Sequence, residues 1–146
     1  MIDFNSYKVI KLKEIAEIER AQEQVIYRKG CSTIQISATK GEIGFLDFDS
    51  IVSPKNVVII PNETIIPKYL NFILQKNISE FMTKYKCGLN IKKNDINEIE
   101  IELHDIETQK VVISLIENTD REIEEAKKEL ELFEKSKLYF LDKMFV

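Results

Sequence analysis

The stretch 109–144, QKVVISLIENTDREIEEAKKELELFEKSKLYFLDKM, contains neither glycine nor proline and repeats its apolar residues on a heptad. One seam position carries Ile116, Ile123, Leu130, Lys137 and Met144, and the other carries Val112, Thr119, Ala126, Phe133 and Phe140. Ten positions spaced alternately four and three apart, eight of them apolar, predict one long amphipathic helix of coiled-coil character. Glu122, Lys127, Glu129 and Glu134 flank the seam, where charge sets partner choice and orientation. Thr119 and Lys137 interrupt it, as register-fixing polar residues do. At ~1.5 Å per residue such a helix is ~55–60 Å long, more than a domain of ~105 residues is wide. Its apolar edge therefore needs another helix, and Val112, Ile116, Ile123, Ala126, Leu130, Phe133 and Phe140 are the candidate contacts.

Upstream of this helix the periodicity changes. Leu12, Ile15 and Ile18 have helical spacing, so 12–18 reads as a short helix. Residues 31–37 alternate as a strand does, and so does the region Phe45-Leu46-Asp47-Phe48, with Gly41 and Gly44 punctuating the turn between them. Val57-Val58-Ile59-Ile60 is a continuous β-branched run between Pro54 and Pro61, the pattern of a strand buried on both faces. Pro67 suits the first turn of a helix that takes in Tyr69, Leu70, Phe72, Ile73 and Leu74 and extends toward Tyr85, with Gly88 placed to close it. Ile99, Ile101 and Leu103 alternate with glutamates, which marks a half-buried strand. The fold class is thus α+β: a small mixed head over 1–105, then one long C-terminal coiled-coil helix over 106–146.

Composition narrows the function. Of the 146 residues 44% are hydrophobic and 32% charged, enough for a packed core. No apolar run approaches the ~20 residues that cross a bilayer, and the start Met1-Ile2-Asp3-Phe4 has no secretory pattern, so no membrane role and a cytoplasmic location are expected. Two cysteines, Cys31 and Cys87, are too few for a disulfide framework or a four-thiolate zinc site. The net charge of −4 is uneven: 14 basic and 15 acidic residues fall in 1–105, against 7 and 10 in 106–146. The head is therefore nearly neutral. It carries two basic clusters, Arg20 with Arg28 and Lys29, and Lys84, Lys86, Lys92 and Lys93 within an acid-free stretch, 81–94. Phosphate binding follows such local fields rather than the overall charge.

Catalytic chemistry is poorly represented. His104 is the single histidine, neither cysteine lies in a nucleophile motif, and the four glycines are too scattered for a phosphate loop. Asp47 and Asp49 share one strand face in this reading, but no third carboxylate completes a cation site. Asp120, Glu125 and Lys127 mimic a nuclease spacing, yet they lie in the heptad run, where helix-surface pairing explains them. No enzyme activity and no cofactor are expected.

The order of these segments resembles the DNA specificity subunits of type I restriction–modification systems. Leu12-Lys13-Glu14-Ile15-Ala16-Glu17-Ile18 is similar to the entry helix of their target recognition domains, and Val58-Ile59-Ile60-Pro61-Asn62-Glu63-Thr64-Ile65-Ile66-Pro67-Lys68-Tyr69-Leu70 to their strand, turn and helix ending in Pro-x-Tyr-Leu. Residues 88–101 resemble the lead into the last strand. Residues 109–145, with Leu115, Asp120, Ile123, Lys137 and Lys143-Met144-Phe145, resemble the conserved long helix. Two departures stand out. Leu103-His104-Asp105-Ile106 replaces a proline-rich step, and Glu19-Arg20-Ala21-Gln22-Glu23-Gln24 stands where a glycine loop often follows the entry helix. The family's subunit carries two recognition domains and two helices, so the resemblance implies a half-subunit acting as a homodimer, or a gene fragment.

The resemblance implies a non-catalytic unit that reads one half of a bipartite double-stranded DNA target, with a methyltransferase subunit and, through it, a restriction subunit as partners. Gln22, Gln24, Ser37, Thr39 and Asn90 carry groups that read base edges. Arg20, Arg28, Lys29, Lys40, Lys84, Lys86, Lys92 and Lys93 are candidates for phosphate positioning, and Tyr27 and Tyr85 for packing on sugars or bases. The competing reading is a coiled-coil interaction protein, an orphan fragment that modulates assembly of a full specificity subunit without binding DNA.

Overall fold

The computed structural model describes residues 2–36, 41–85 and 92–145, and they fall into two compact units, Met1–Lys110 and Val111–Val146. The first is built around strand β7 (Asn56–Pro61), whose Val57, Val58 and Ile59 are completely buried, as the uninterrupted β-branched run requires. On one side β7 pairs antiparallel with β2 (Ala16–Arg20), placing Ile18 opposite Ile59 and Arg20 opposite Val57. On the other it pairs with β4 (Ser32–Gln35), which in turn pairs with β5 (Ile43–Phe45), giving the order β2-β7-β4-β5. Helix α2 (Pro67–Tyr85) starts at its proline and packs on β4 and β5 and against β8 (Glu100–Leu103), burying Tyr69, Leu70, Ile73, Leu74, Phe81 and Met82. The N-terminal strand β1 (Lys8–Lys11) pairs with β8 in a separate ladder, with Ile10 opposite Ile101. A third, very short ladder joins β3 (Ile26–Tyr27) to β6 (Ser50–Ile51).

The entry helix corrects the sequence reading. Only Leu12–Ile15 is helical (α1); Ala16 is extended at φ −148° and ψ 147°, and the chain continues as β2. Leu12, Ile15 and Ile18 fit a period near three, but Ala16 and Ile18 also fit a period of two. A seven-residue helix is marginal in water. The five-pair ladder offered by β7 decides the outcome, a choice that local spacing cannot register. The strand around Phe45 likewise sits earlier than its alternation indicates. It ends at Phe45, Asp47 lies in the bend that follows and Asp49 just after it, and their shared strand face does not exist. Gly88 lies outside the described residues.

The long helix α4 spans Ile106–Met144, and its first turn belongs to the head unit. Asp105 caps it: the Asp105 carboxylate accepts hydrogen bonds from the Glu107 and Thr108 N–H groups at 3.0 Å and from the Thr108 hydroxyl at 2.6 Å. Those bonds, the Thr108 hydroxyl foremost, hold the Asp105 carboxyl below the usual carboxylate range. In the second unit Val112 and Ile116 are half-buried, while Ile123, Leu130, Phe133 and Phe140 are between 48% and 63% exposed, and Ala126 is exposed as well. Among the described residues no helix is long and apolar enough to cross a membrane.

Candidate nucleic-acid interface

The sequence 20–30 leaves the end of β2, turns, and returns as β3. Its scaffold is a small core of Ala21, Tyr27, Cys31, Val52 and Val58. Tyr27 is only 4% exposed, and its hydroxyl accepts a hydrogen bond from the Gln22 N–H at 3.1 Å. Burial raises the Tyr27 hydroxyl pKa above the ordinary phenol value, and burial likewise raises that of the Cys31 thiol. This overturns the reading of Tyr27 as a residue that packs on sugars or bases. It pins the turn from beneath instead. The signal lay in strand alternation: in a two-residue ladder, an exposed Ile26 puts its neighbour Tyr27 on the inner face.

Above that anchor the polar candidates stand together. Gln22 and Gln24 are exposed on the turn, and Gln24 has φ 64°, the left-handed region that non-glycine residues rarely occupy. Arg28 and Lys29 follow β3 and are exposed, and the Lys29 N–H donates to Asp49 Oδ1 at 2.8 Å. Gly30, at φ 90°, redirects the chain, and its N–H donates to the Leu46 carbonyl at 2.7 Å. Arg20 is exposed at the end of β2, its Nε donating to the Pro54 carbonyl at 3.2 Å. Thus Arg20, Gln22, Gln24, Arg28 and Lys29 share one turn and its flanks, on a backbone held by three separate contacts.

The second basic cluster is placed differently. Lys84, exposed near the end of α2, lines a groove of about 170 Å³ together with Glu80, Glu98, Glu100 and Glu102. Two of those carboxylates are paired, Glu98 with Lys11 and Lys13 and Glu102 with Lys76, so the groove carries mixed charge rather than a concentrated basic field. Lys92 and Lys93 are exposed at the start of the single-turn helix α3 (Lys93–Ile96). Ser37, Thr39, Lys40, Lys86, Asn90 and the side chain of Tyr85 lie outside the described residues.

Two clusters escaped the sequence reading. Glu98 is paired with both Lys11 and Lys13, the latter at 2.7 Å, and their hydrogen bonds hold its carboxyl at about 2. Tyr69, completely buried, donates to the Glu102 carbonyl at 2.6 Å and lies 2.5 Å from His104 Nδ1. Both join residues some 30 to 90 positions apart, beyond the reach of periodicity. Among the described residues no group of three or more His, Cys, Asp or Glu side chains is disposed to hold a metal ion.

The sequence and the fold both have known counterparts. The family model for the type I restriction modification DNA specificity domain matches residues 5–132. A chain from a structural study of complex assembly and conformational transition of the type I R-M system superposes with a TM-score of 0.72 at 14% identity, covering 84% of this chain and 40% of that one. The HsdS subunit from Thermoanaerobacter tengcongensis matches with a TM-score of 0.67 at 13% identity, covering 84% of this chain and 39% of that one. The type-I restriction-modification system S subunit from M. genitalium matches with a TM-score of 0.67 at 10% identity, covering 88% and 43% respectively. The chain therefore spans about two fifths of the length of these solved chains. No curated protein matches it by sequence.

Proposed function

The chain belongs to the type I restriction modification DNA specificity domain family, and from that premise we propose that it reads one half of a bipartite double-stranded DNA target. One observation carries the reading. Two glutamines stand exposed on a turn, and two arginines and a lysine on its flanks, along a backbone held by contacts to Tyr27, Asp49 and Leu46. Glutamine amides match the donor–acceptor edge of adenine and arginine that of guanine, while lysine and arginine hold phosphates. A fixed backbone lowers the ordering cost of binding, which favours a rigid turn over a floppy one.

The long helix supplies the spacing. Its exposed apolar seam supports a homodimer in which two copies pack their helices together and hold two heads apart over an interrupted palindrome. The chain itself performs no chemistry in this reading. It lends specificity to a methyltransferase subunit and, through that subunit, to a restriction subunit. The test is selection from a randomised duplex library, followed by binding measurements across a salt series. Recovery of a defined sequence, with affinity falling as salt rises, supports the reading. Failure to retain any duplex leaves the seam alone, and with it a coiled-coil protein that modulates assembly.

A further inference from the structure

We propose that the outer face of the β3–β6 ladder reads thymine methyl groups, so that A·T pairs lie under this head in its half-site. The proposal rests on the DNA-reading function above and adds the residues that recognise one particular base pair. Ile26 and Ile51 stand directly opposite each other in the ladder, and directly opposed residues share a face. Tyr27 occupies the inner face, so the isoleucines form the outer one, at 65% and 62% exposure. Packing within the chain therefore does not account for this apolar pair.

Its surroundings point to nucleic acid as the occupant. Arg28 and Lys29 follow β3 directly, Arg20 reaches the Pro54 carbonyl just beyond β6, and Lys55 is the next residue. The nearby acids are Glu19, Glu23, Asp47 and Asp49; Glu19 lies beside Tyr27 and Cys31 on the inner side, and one oxygen of the Asp49 carboxylate already accepts the Lys29 N–H. Exposed cations thus follow β3 and lie just beyond β6 along the chain that carries the apolar pair. The major groove of B-DNA has the complementary arrangement, with phosphates along its rims and the thymine methyl as the apolar group on its floor, and it admits a two-stranded β-ribbon. The glutamines fit the same base pair. Gln24 stands two residues before Ile26, and a glutamine amide pairs with the adenine edge opposite the thymine. The left-handed backbone of Gln24 is the kind of local strain that clusters at binding sites.

The experiment uses the full chain and the duplex it selects. Each thymine of the half-site is replaced by deoxyuridine, which removes the methyl and nothing else, and affinity is read by fluorescence anisotropy. The wild-type chain is expected to lose about fourfold for each methyl it contacts. The double variant Ile26→Ala/Ile51→Ala is expected to bind thymine and uracil duplexes equally, with an unchanged salt slope. If the double variant loses all binding, Ile26→Val and Ile51→Val, each trimming one methyl, are expected to shrink the uracil penalty. Equal wild-type affinity for the two duplexes, a selected half-site without A·T pairs, or variants that keep the full uracil penalty would each overturn the proposal while leaving DNA reading intact. A wild-type chain that selects no duplex overturns both.

Discussion

The side-chain oxygen of Gln109 accepts a hydrogen bond from the Ile66 N–H at 2.8 Å, across 43 residues of sequence. The same amide donates to the His104 carbonyl at 2.9 Å, and Gln109 is completely buried. The first turn of α4 is thereby joined to the segment leading into α2. Replacing Gln109 with Ala leaves two half-buried backbone groups, the Ile66 N–H and the His104 carbonyl, without this partner. The expected loss is about 2–3 kcal/mol of stability, read as a lower urea midpoint in a circular-dichroism titration. An unchanged midpoint would show that water replaces the amide at no cost.

Glu98 gives a pH signature. Its folded carboxyl sits at about 2, below the ordinary carboxylate value, because Lys11 and Lys13 hydrogen-bond the charged form. A depressed folded pKa contributes stability above the unfolded value near 4.5 and loses it as pH falls toward 2. Glu98→Gln should therefore be less stable than the wild type at pH 7 and equal to it near pH 2. Thermal melts across that range measure the convergence, and a constant difference would refute the assignment.

The exposed seam predicts association. Wild-type chain at micromolar concentration should sediment at about twice 17.1 kDa, and Ile123→Glu combined with Leu130→Glu should sediment as a single chain. Each glutamate would place charge in an apolar helix interface. A single-chain mass for the wild type removes the homodimer.

Salt titrations should separate Lys84 from the other exposed cations of the two basic clusters. Arg28→Ala with Lys29→Ala is expected to lower the slope of log affinity against log salt by about 2, at ~0.9 per phosphate contact. Lys92→Ala with Lys93→Ala should lower it by about 2 as well. Lys84→Ala should leave it nearly unchanged, since Glu80, Glu98, Glu100 and Glu102 line the same groove. A large Lys84 effect would show that DNA reaches that groove.

Tyr27→Phe tests the anchor beneath the turn. The Gln22 N–H loses its partner, at an expected cost of about 1 kcal/mol of stability. Affinity for the selected duplex should fall severalfold with an unchanged salt slope, because the phosphate contacts remain. Unaltered affinity would mean that the turn holds its shape without the hydroxyl.

The long helix, the buried strand β7 and the start of α2 at Pro67 were legible from the residues alone. Each depends on a signal contained within a short window: heptad spacing, an unbroken β-branched run, a proline suited to a first helical turn. The exposed Arg28 and Lys29 were legible too, because charged side chains seldom leave the surface. Tyr27 was not. An aromatic between an exposed isoleucine and two cations reads equally as core or contact until the partner strand Ser50–Ile51 fixes which face is inner.

Periodicity marked which segments bury apolar surface, and so the α+β class and the long helix. It took the folded chain to settle that Ile18 belongs to a strand, that Lys84 lines a groove with four glutamates, and that Ile26 and Ile51 share an outer face. Burial periodicity is local and survives in a linear string. Strand pairing, electrostatic neighbourhood and cross-strand register join residues tens of positions apart, and those relations arise only when the chain closes on itself.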